Sequence, residues 1–211
     1  MARPASTTAA TASRDRVFAA AAAEFARRGY AGANVDRIAR AARLNKAMIY
    51  YHFKSKAALY REILRDMFGA VRQAVADVEA SPASPADKIR RYVEAIATAA
   101  EARPHFPPIW LRELAEGGEH VDAATLAYVR DVLGALGRII EAGRKTGTFV
   151  PLNPLVVQAG IIAPLMFFLA SAPLRHKMAR AGTIRGSALS LDFVVAHIQR
   201  VTLAQLEGKL T

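Results

Sequence analysis

Two tyrosines and a histidine stand in a row, between lysines, in the stretch LNKAMIYYHFKSK from Leu44 to Lys56. Three successive residues of a helix point in three directions, so Tyr50, Tyr51 and His52 cannot share one buried face. Phenol O–H and imidazole N–H groups beside the ammonium groups of Lys46, Lys54 and Lys56 make a row of donors reinforced by positive charge. That is the chemistry of a grip on phosphate oxygens, which fixes a protein on a polyanion without reading its sequence. The start of the stretch, Asn45-Lys46-Ala47-Met48, offers something else. Ala47 is small enough for the backbone to approach base edges, Lys46 can donate to guanine O6 or N7, and Met48 can touch a thymine methyl. For these three, plain exposed helix surface is the other reading; for Tyr51 it is packing on the first helix, and for His52 capping of local carbonyls. Phe53 is purely apolar and is expected to hold the stretch to a core.

The charge distribution points the same way. The 211 residues carry 29 Lys and Arg against 18 Asp and Glu, a net charge of +11. Residues 1–56 hold 11 of the basic and 3 of the acidic groups, a net +8, which leaves +3 for the rest. An excess concentrated in the first quarter suggests an N-terminal unit that meets nucleic acid or a membrane surface. Cysteine is absent, which excludes disulfides, thiolate metal sites and cysteine nucleophiles. There are no paired carboxylates, no Gly-rich phosphate loop and no nucleophile elbow. His105 and His120, with Glu116 and Glu119 nearby, show no familiar metal-ligand spacing. The expectation is therefore no enzyme, no catalytic residue, no cofactor and no metal. The N-terminal stretch has no apolar core of a secretory signal, and a cytoplasmic location is expected. Leu155 to Leu174 approaches the roughly 20 apolar residues of a membrane span. Gln158 and Pro164 interrupt it, so burial in protein or at an oligomer interface is expected, and no membrane partner.

The elements that must position these groups are helical. Apolar residues make up 53% of the chain and aromatics only 8%, because Ala, the strongest helix former, supplies much of the apolar share. A first helix is expected over 13–28, with Val17, Phe18, Ala21, Ala22 and Phe25 inward and Gly29 as its stop. A second spans 35–42 behind Asn34 as N-cap, and a third spans 46–53 behind Asn45. Ser55 caps a fourth that reaches Ala80. Ser84-Pro85 opens a fifth after the break SPASP, and a short sixth covers 108–116. A seventh over 122–145 turns Leu126, Val129, Leu133, Leu136 and Ile140 inward. Asn153-Pro154 opens an apolar eighth; a basic loop, RHKMARAGTIRG, leads to a ninth over 187–206. The second and third helices, joined by a tight turn, have the layout of a helix-turn-helix, whose second helix enters the major groove. The fold class is all-α. An arm over 1–12, flexible and carrying Arg3, precedes a helix-turn-helix domain over 13–56 and a larger helical domain over 57–211. Arg14 reads with the arm, as disordered or reaching a neighbouring groove.

From Arg14 to Leu64, RDRVFAAAAAEFARRGYAGANVDRIARAARLNKAMIYYHFKSKAALYREIL resembles the DNA-binding domain of TetR-type transcriptional regulators. Ala21 and Phe25, Gly29-Tyr30, Ile38-Ala39, Tyr50, His52-Phe53, and Lys56 with Leu59 carry the match. The resemblance implies a homodimer on a palindromic double-stranded DNA operator, released by a small-molecule effector that is partly apolar, and more often a repressor than an activator. The candidate DNA contacts are Asn34, Arg43, Asn45, Lys46, Ala47, Met48, Tyr50, Tyr51, His52 and Lys56. Arg43-Leu44-Asn45 stands where the family usually has Gly-Val-Ser, Ala47-Met48 where it has small Gly and Thr, and Ala33 where Thr is common. These departures bear on the operator sequence and on one phosphate contact, and Arg43 can add a backbone contact.

The resemblance also implies an effector pocket among the fourth to seventh helices. Phe68, Tyr92, Phe106, Trp110, Tyr128, Met166 and Phe167 are candidate liners, and Arg112 and Glu113 candidate polar contacts; for each liner, ordinary core is the other reading. The last two helices of two chains are expected to form a four-helix interface through Leu155, Ile162, Leu191, Val194, Val195, Ile198 and Val201. The pattern agrees independently, since the eighth helix is apolar on all sides, too much for one neighbour.

Overall fold

The computed structural model describes residues 5–184 and 189–209, and every regular element among them is a helix. In chain order these are α1 (Ala5–Gly32), α2 (Val35–Ala42), α3 (Lys46–Phe53), α4 (Lys56–Ala80), α5 (Pro85–Glu101), α6 (Phe106–Ala115), α7 (Ala123–Lys145), α8 (Pro154–Ala170), α9 (Ala172–Arg180) and α10 (Leu191–Leu206). They fall into two compact units. The first extends to Asp66 and includes Pro108–Ala123; the second holds Met67–Pro107 and the chain from Ala124 onward. The division thus cuts α4 after Asp66, ten residues beyond the boundary expected at Lys56, and 108–123 belong with the first unit.

In the first unit, α1 begins at Ala5, earlier than Ser13, because no Gly or Pro interrupts an Ala-rich run that propagates a helix once started. Residues 1–4, with Arg3, lie outside the described residues. Gly29 breaks α1 at φ 69, ψ 176, and a last turn follows to Gly32. Val17, Ala21 and Phe25 of α1 bury against Ile38 and Ala42 of α2 and Ile49 and Phe53 of α3, with Leu59 and Ile63 of α4 completing the core. Each buried Val, Leu, Ile or Phe among these contributes about 1.5–3 kcal/mol. One buried polar group knits the frame. Glu24 of α1, 6% exposed, accepts from Arg37 Nε of α2 at 2.6 Å and Arg27 Nη2 at 3.1 Å, and the Asn34 N–H points at it from 3.4 Å. Burial pushes its carboxyl up, but these donors outweigh burial and hold it below the usual carboxylate range.

In the second unit, Ile89, Tyr92, Val93 and Ile96 of α5 are buried, as are Leu136 and Ile140 of α7, Ile161 and Leu165 of α8 and Ile198 and Leu206 of α10. Gln158, the polar residue inside the apolar α8, is the partner of a buried phenol: Tyr92 Oη donates to its Oε1 at 2.7 Å. Three expectations need correction. Leu126 is 56% exposed and Val129 and Leu133 are half-buried, while Leu136 and Ile140 are buried as expected, beside Val132, Ala135 and Ile139, so at its start the helix turns a different side inward from the one its apolar residues suggest. The apolar segment does not run unbroken to Leu174, because α8 ends at Ala170 and the chain bends by 52° into α9. The basic stretch after it is not a loop throughout: Pro173 stands in the first turn of α9, and Leu, Lys, Met and Arg propagate it to Arg180. The last helix starts at Leu191, where the Ser190 hydroxyl accepts from the Phe193 N–H at 3.2 Å; Ser187 lies outside the described residues. Among the described residues no single helix is long and apolar enough to cross a membrane.

Candidate nucleic-acid interface

Two side-chain caps fix the pair of helices that carry the candidate contacts. Asn34 Oδ1 accepts from the Asp36 N–H at 2.7 Å at the start of α2, and Asn45 Oδ1 from the Met48 N–H at 3.0 Å at the start of α3. Both asparagines are exposed but hold local backbone with their side chains. Between them the chain turns at Arg43, whose φ of 54 lies in the left-handed region, and the Leu44 N–H bonds the Ala39 carbonyl at 3.0 Å. Ile49 and Phe53 anchor α3 from below, both buried.

With that anchor set, the opposite face of α3 is bare. Asn45, Lys46, Ala47, Tyr50 and Tyr51 are exposed, Tyr51 to 75%, and Met48 is half-buried. Tyr51 therefore does not pack into the core. Lys46 Nζ lies 3.1 Å from Asp36 Oδ1, and the bond to Asp36 raises its ammonium above the ordinary lysine value. Both partners are exposed, so a phosphate or a guanine can exchange for Asp36 at little cost. Lys56 opens α4 with its ammonium 4.5 Å from the centre of the Tyr30 ring; partial burial lowers it below the usual lysine value. Beside the end of α3, His52, Lys54, Ala58, Arg61 and Arg65 line a cleft whose acid, Glu62, is paired with Arg14.

Three positioning residues carry no signal in the sequence pattern. Ser13 Oγ lies 2.7 Å from His52 Nε2 and 2.8 Å from the Ala10 carbonyl, and the contact with the ring ties α3 to α1. Arg14, expected in a loose arm, pairs with Glu62 and stacks 5.0 Å above the Phe53 ring. Glu24 orients Arg37, as described. What unites the three is a partner on a different helix, which periodicity within one helix does not contain.

The other candidate residues divide between the units. Trp110, Arg112 and Glu113 belong to the first, where Arg112 is exposed and donates to the Arg27 carbonyl at 3.2 Å. Phe68, Tyr92, Phe106, Tyr128 and Met166 belong to the second; Phe68 and Phe106 form an edge-to-face pair with centroids 5.4 Å apart, and Arg72 stacks on Tyr128. Phe167 is 70% exposed. Of the residues expected between chains, Val195 and Ile198 are buried, Ile162, Leu191 and Val194 half-buried, and Leu155 and Val201 exposed.

A short α2, a tight turn and an α3 with one anchored and one bare, donor-rich face define a helix-turn-helix DNA-binding protein. Residues 17–63 match the family model described as bacterial regulatory proteins, tetR family, and residues 85–188 match that of the tetracyclin repressor-like C-terminal domain. The chain belongs to the TetR family of transcriptional regulators. It is similar to the HTH-type transcriptional repressor NicS of Pseudomonas putida, 31% identical over 138 residues; the match spans 64% of this chain and 65% of NicS. A shorter stretch of 53 residues, 25% of this chain, is 51% identical to 28% of the HTH-type transcriptional repressor SCO4008 of Streptomyces coelicolor. The fold is that of a tetR-family regulatory protein from Rhodococcus RHA1, with a TM-score of 0.75, 21% identity and 92% of this chain and 96% of that one covered.

Proposed function

We propose that this regulator is an effector-released repressor that binds a palindromic operator as a homodimer in the cytoplasm, with no catalytic activity of its own. The observation that carries the reading is the bare face of α3, where Asn45, Lys46, Ala47, Tyr50 and Tyr51 are exposed above a buried Ile49–Phe53 anchor. In this account Lys46, Ala47 and Met48 face base edges, while Arg43, Tyr50, Tyr51, His52 and Lys56 hold phosphates; Asn34 and Asn45 set the two helices. The head over 13–56 reads DNA, and 57–211 supply the effector site and the dimer.

The second copy is supported by an apolar face. Leu155, Ala159, Ala163 and Phe167 recur at four-residue intervals on α8 and are all exposed, and Phe193 and Val201 are exposed on α10. The small residues let two helices approach closely, and the large ones supply area to bury. The effector site is placed in the second unit, against the Phe68–Phe106 pair, where the Tyr92–Gln158 pair is a polar handle in an apolar interior. Names of relatives favour repression over activation.

Selection of bound duplexes from a random pool tests the reading. The expected product is a dyad-symmetric site with half-site centres about 34–36 Å apart. Enrichment of no sequence, or of a single half-site without dyad symmetry, would refute it.

A further inference from the structure

Glu113, in the first unit, is 0% exposed, and among the described residues no Lys or Arg reaches its carboxylate. Its partners are the Tyr60 hydroxyl, which donates to Oε1 at 2.7 Å, the His120 N–H, 3.2 Å from Oε2, and His120 Nδ1, 3.0 Å from Oε1. A carboxyl group out of water calls for donors or a cation, and here all its partners among the described residues come from Tyr60 and His120. The chain around it gathers nitrogen and oxygen ligands. Glu113 and Glu116 lie three residues apart at the C-terminal end of α6, the negative end of the helix dipole. Gly117 and Gly118 follow at φ 74 and φ 77, which side-chain-bearing residues rarely adopt, and they turn the chain so that His120 returns onto Glu113. One ligand-capable atom from each of Glu113, Glu116 and His120 lies within 4.8 Å of the others. The Nδ1 to Oε1 separation of 3.0 Å is near the ~3.3 Å between two ligands of a tetrahedral zinc, each about 2.0–2.1 Å from the ion.

We propose that Glu113, Glu116 and His120 bind one divalent transition-metal ion, with zinc as the reference ion and water completing the shell. One imidazole and two carboxylates suit zinc and its neighbours, whereas magnesium and calcium prefer all-oxygen shells. The ion would take the Nδ1 lone pair as the bridge between imidazole and carboxylate, and the single proton of the neutral ring would sit on Nε2. The Tyr60 hydroxyl, donating to Glu113, is the outer partner that keeps the carboxylate aimed. The His120 ring also lies 4.0 Å from the Tyr30 ring, on which Lys56 rests. The site is thus anchored to the aromatic group that holds a candidate phosphate contact, although ion binding itself does not depend on DNA binding.

The test is titration of the metal-stripped, tag-free full chain with zinc chloride by calorimetry at neutral pH, with magnesium chloride as the comparison and Tm followed in parallel. The expected result is one zinc per chain, no magnesium uptake at the same concentration, and a rise in Tm with zinc. His120→Gln and Glu116→Gln should each weaken zinc binding about tenfold or more. Glu116 is exposed, so its variant keeps the test informative even if His120→Gln unfolds the turn. Absence of saturable zinc binding by the wild-type chain, or undiminished binding by a folded variant of either residue, would overturn the proposal.

Discussion

On the proposed function, Arg43 is a residue that serves DNA binding against folding. At φ 54 it sits where an L side chain costs about 1 kcal/mol or more, a place that glycine fills without strain. The proposed phosphate contact gives the cation at this place a use. Arg43→Gly should therefore leave stability unchanged or raise it by up to about 1 kcal/mol. It should also weaken DNA binding evenly across sequences, with a salt slope shallower by about one. Urea unfolding and anisotropy titrations at several salt concentrations check both halves. Glu24 gives the opposite case, a residue that touches no DNA in this account but holds the head together. Its carboxyl lies below its ordinary value of 4.5, so its contribution is fully present above that pH. The contribution is lost as pH falls through the lower folded value. Glu24→Gln should cost about 2 kcal/mol at neutral pH, and below pH 4.5 the gap to the wild type should narrow. Unfolding curves at both pH values measure it.

At the scale of elements, the tightest constraint is one of space. A Cβ built on Gly143 of α7 would lie 2.0 Å from the ring of Phe149, which is itself buried. Gly143→Ala should destabilise the chain by about 1–3 kcal/mol through overpacking, read by thermal or urea unfolding. The sequence carries α2 and α3 to the residue, because Asn34 and Asn45 are side-chain caps with a local signature and because Ile49 and Phe53 fall on one face. It carries the caps of α5 and α8 equally well, at Ser84 and Asn153. It misleads on α1, α7 and α9 for different reasons. Ala and Thr at the start of α1 have no sharp periodicity. The stripe of α7 is set by neighbours that periodicity cannot supply. In α9, a high density of Lys and Arg reads as loop although those residues are good helix formers. The candidate site is legible as chemistry in the α3 run. Ser13, Arg14 and Glu24 are not, since their partners His52, Glu62 and Arg37 lie on other helices.

At the scale of the molecule, operator recognition in this account needs two heads held at fixed spacing. The exposed line Leu155, Ala159, Ala163 and Phe167 on α8 is the surface that would join them. Ala163→Glu places a charge in its middle, and sedimentation should show a shift from dimer toward monomer with the helical content retained. Head and dimer meet in one comparison. With the duplex recovered by selection, affinity is measured for the wild-type chain and for Tyr50→Ala with Lys56→Ala, at rising salt. Weaker binding on every duplex is expected for the double variant, with a salt slope shallower by about one for the Lys56 ammonium removed from its phosphate and the circular dichroism unchanged. Equal affinity and equal slope in a folded double variant would contradict it.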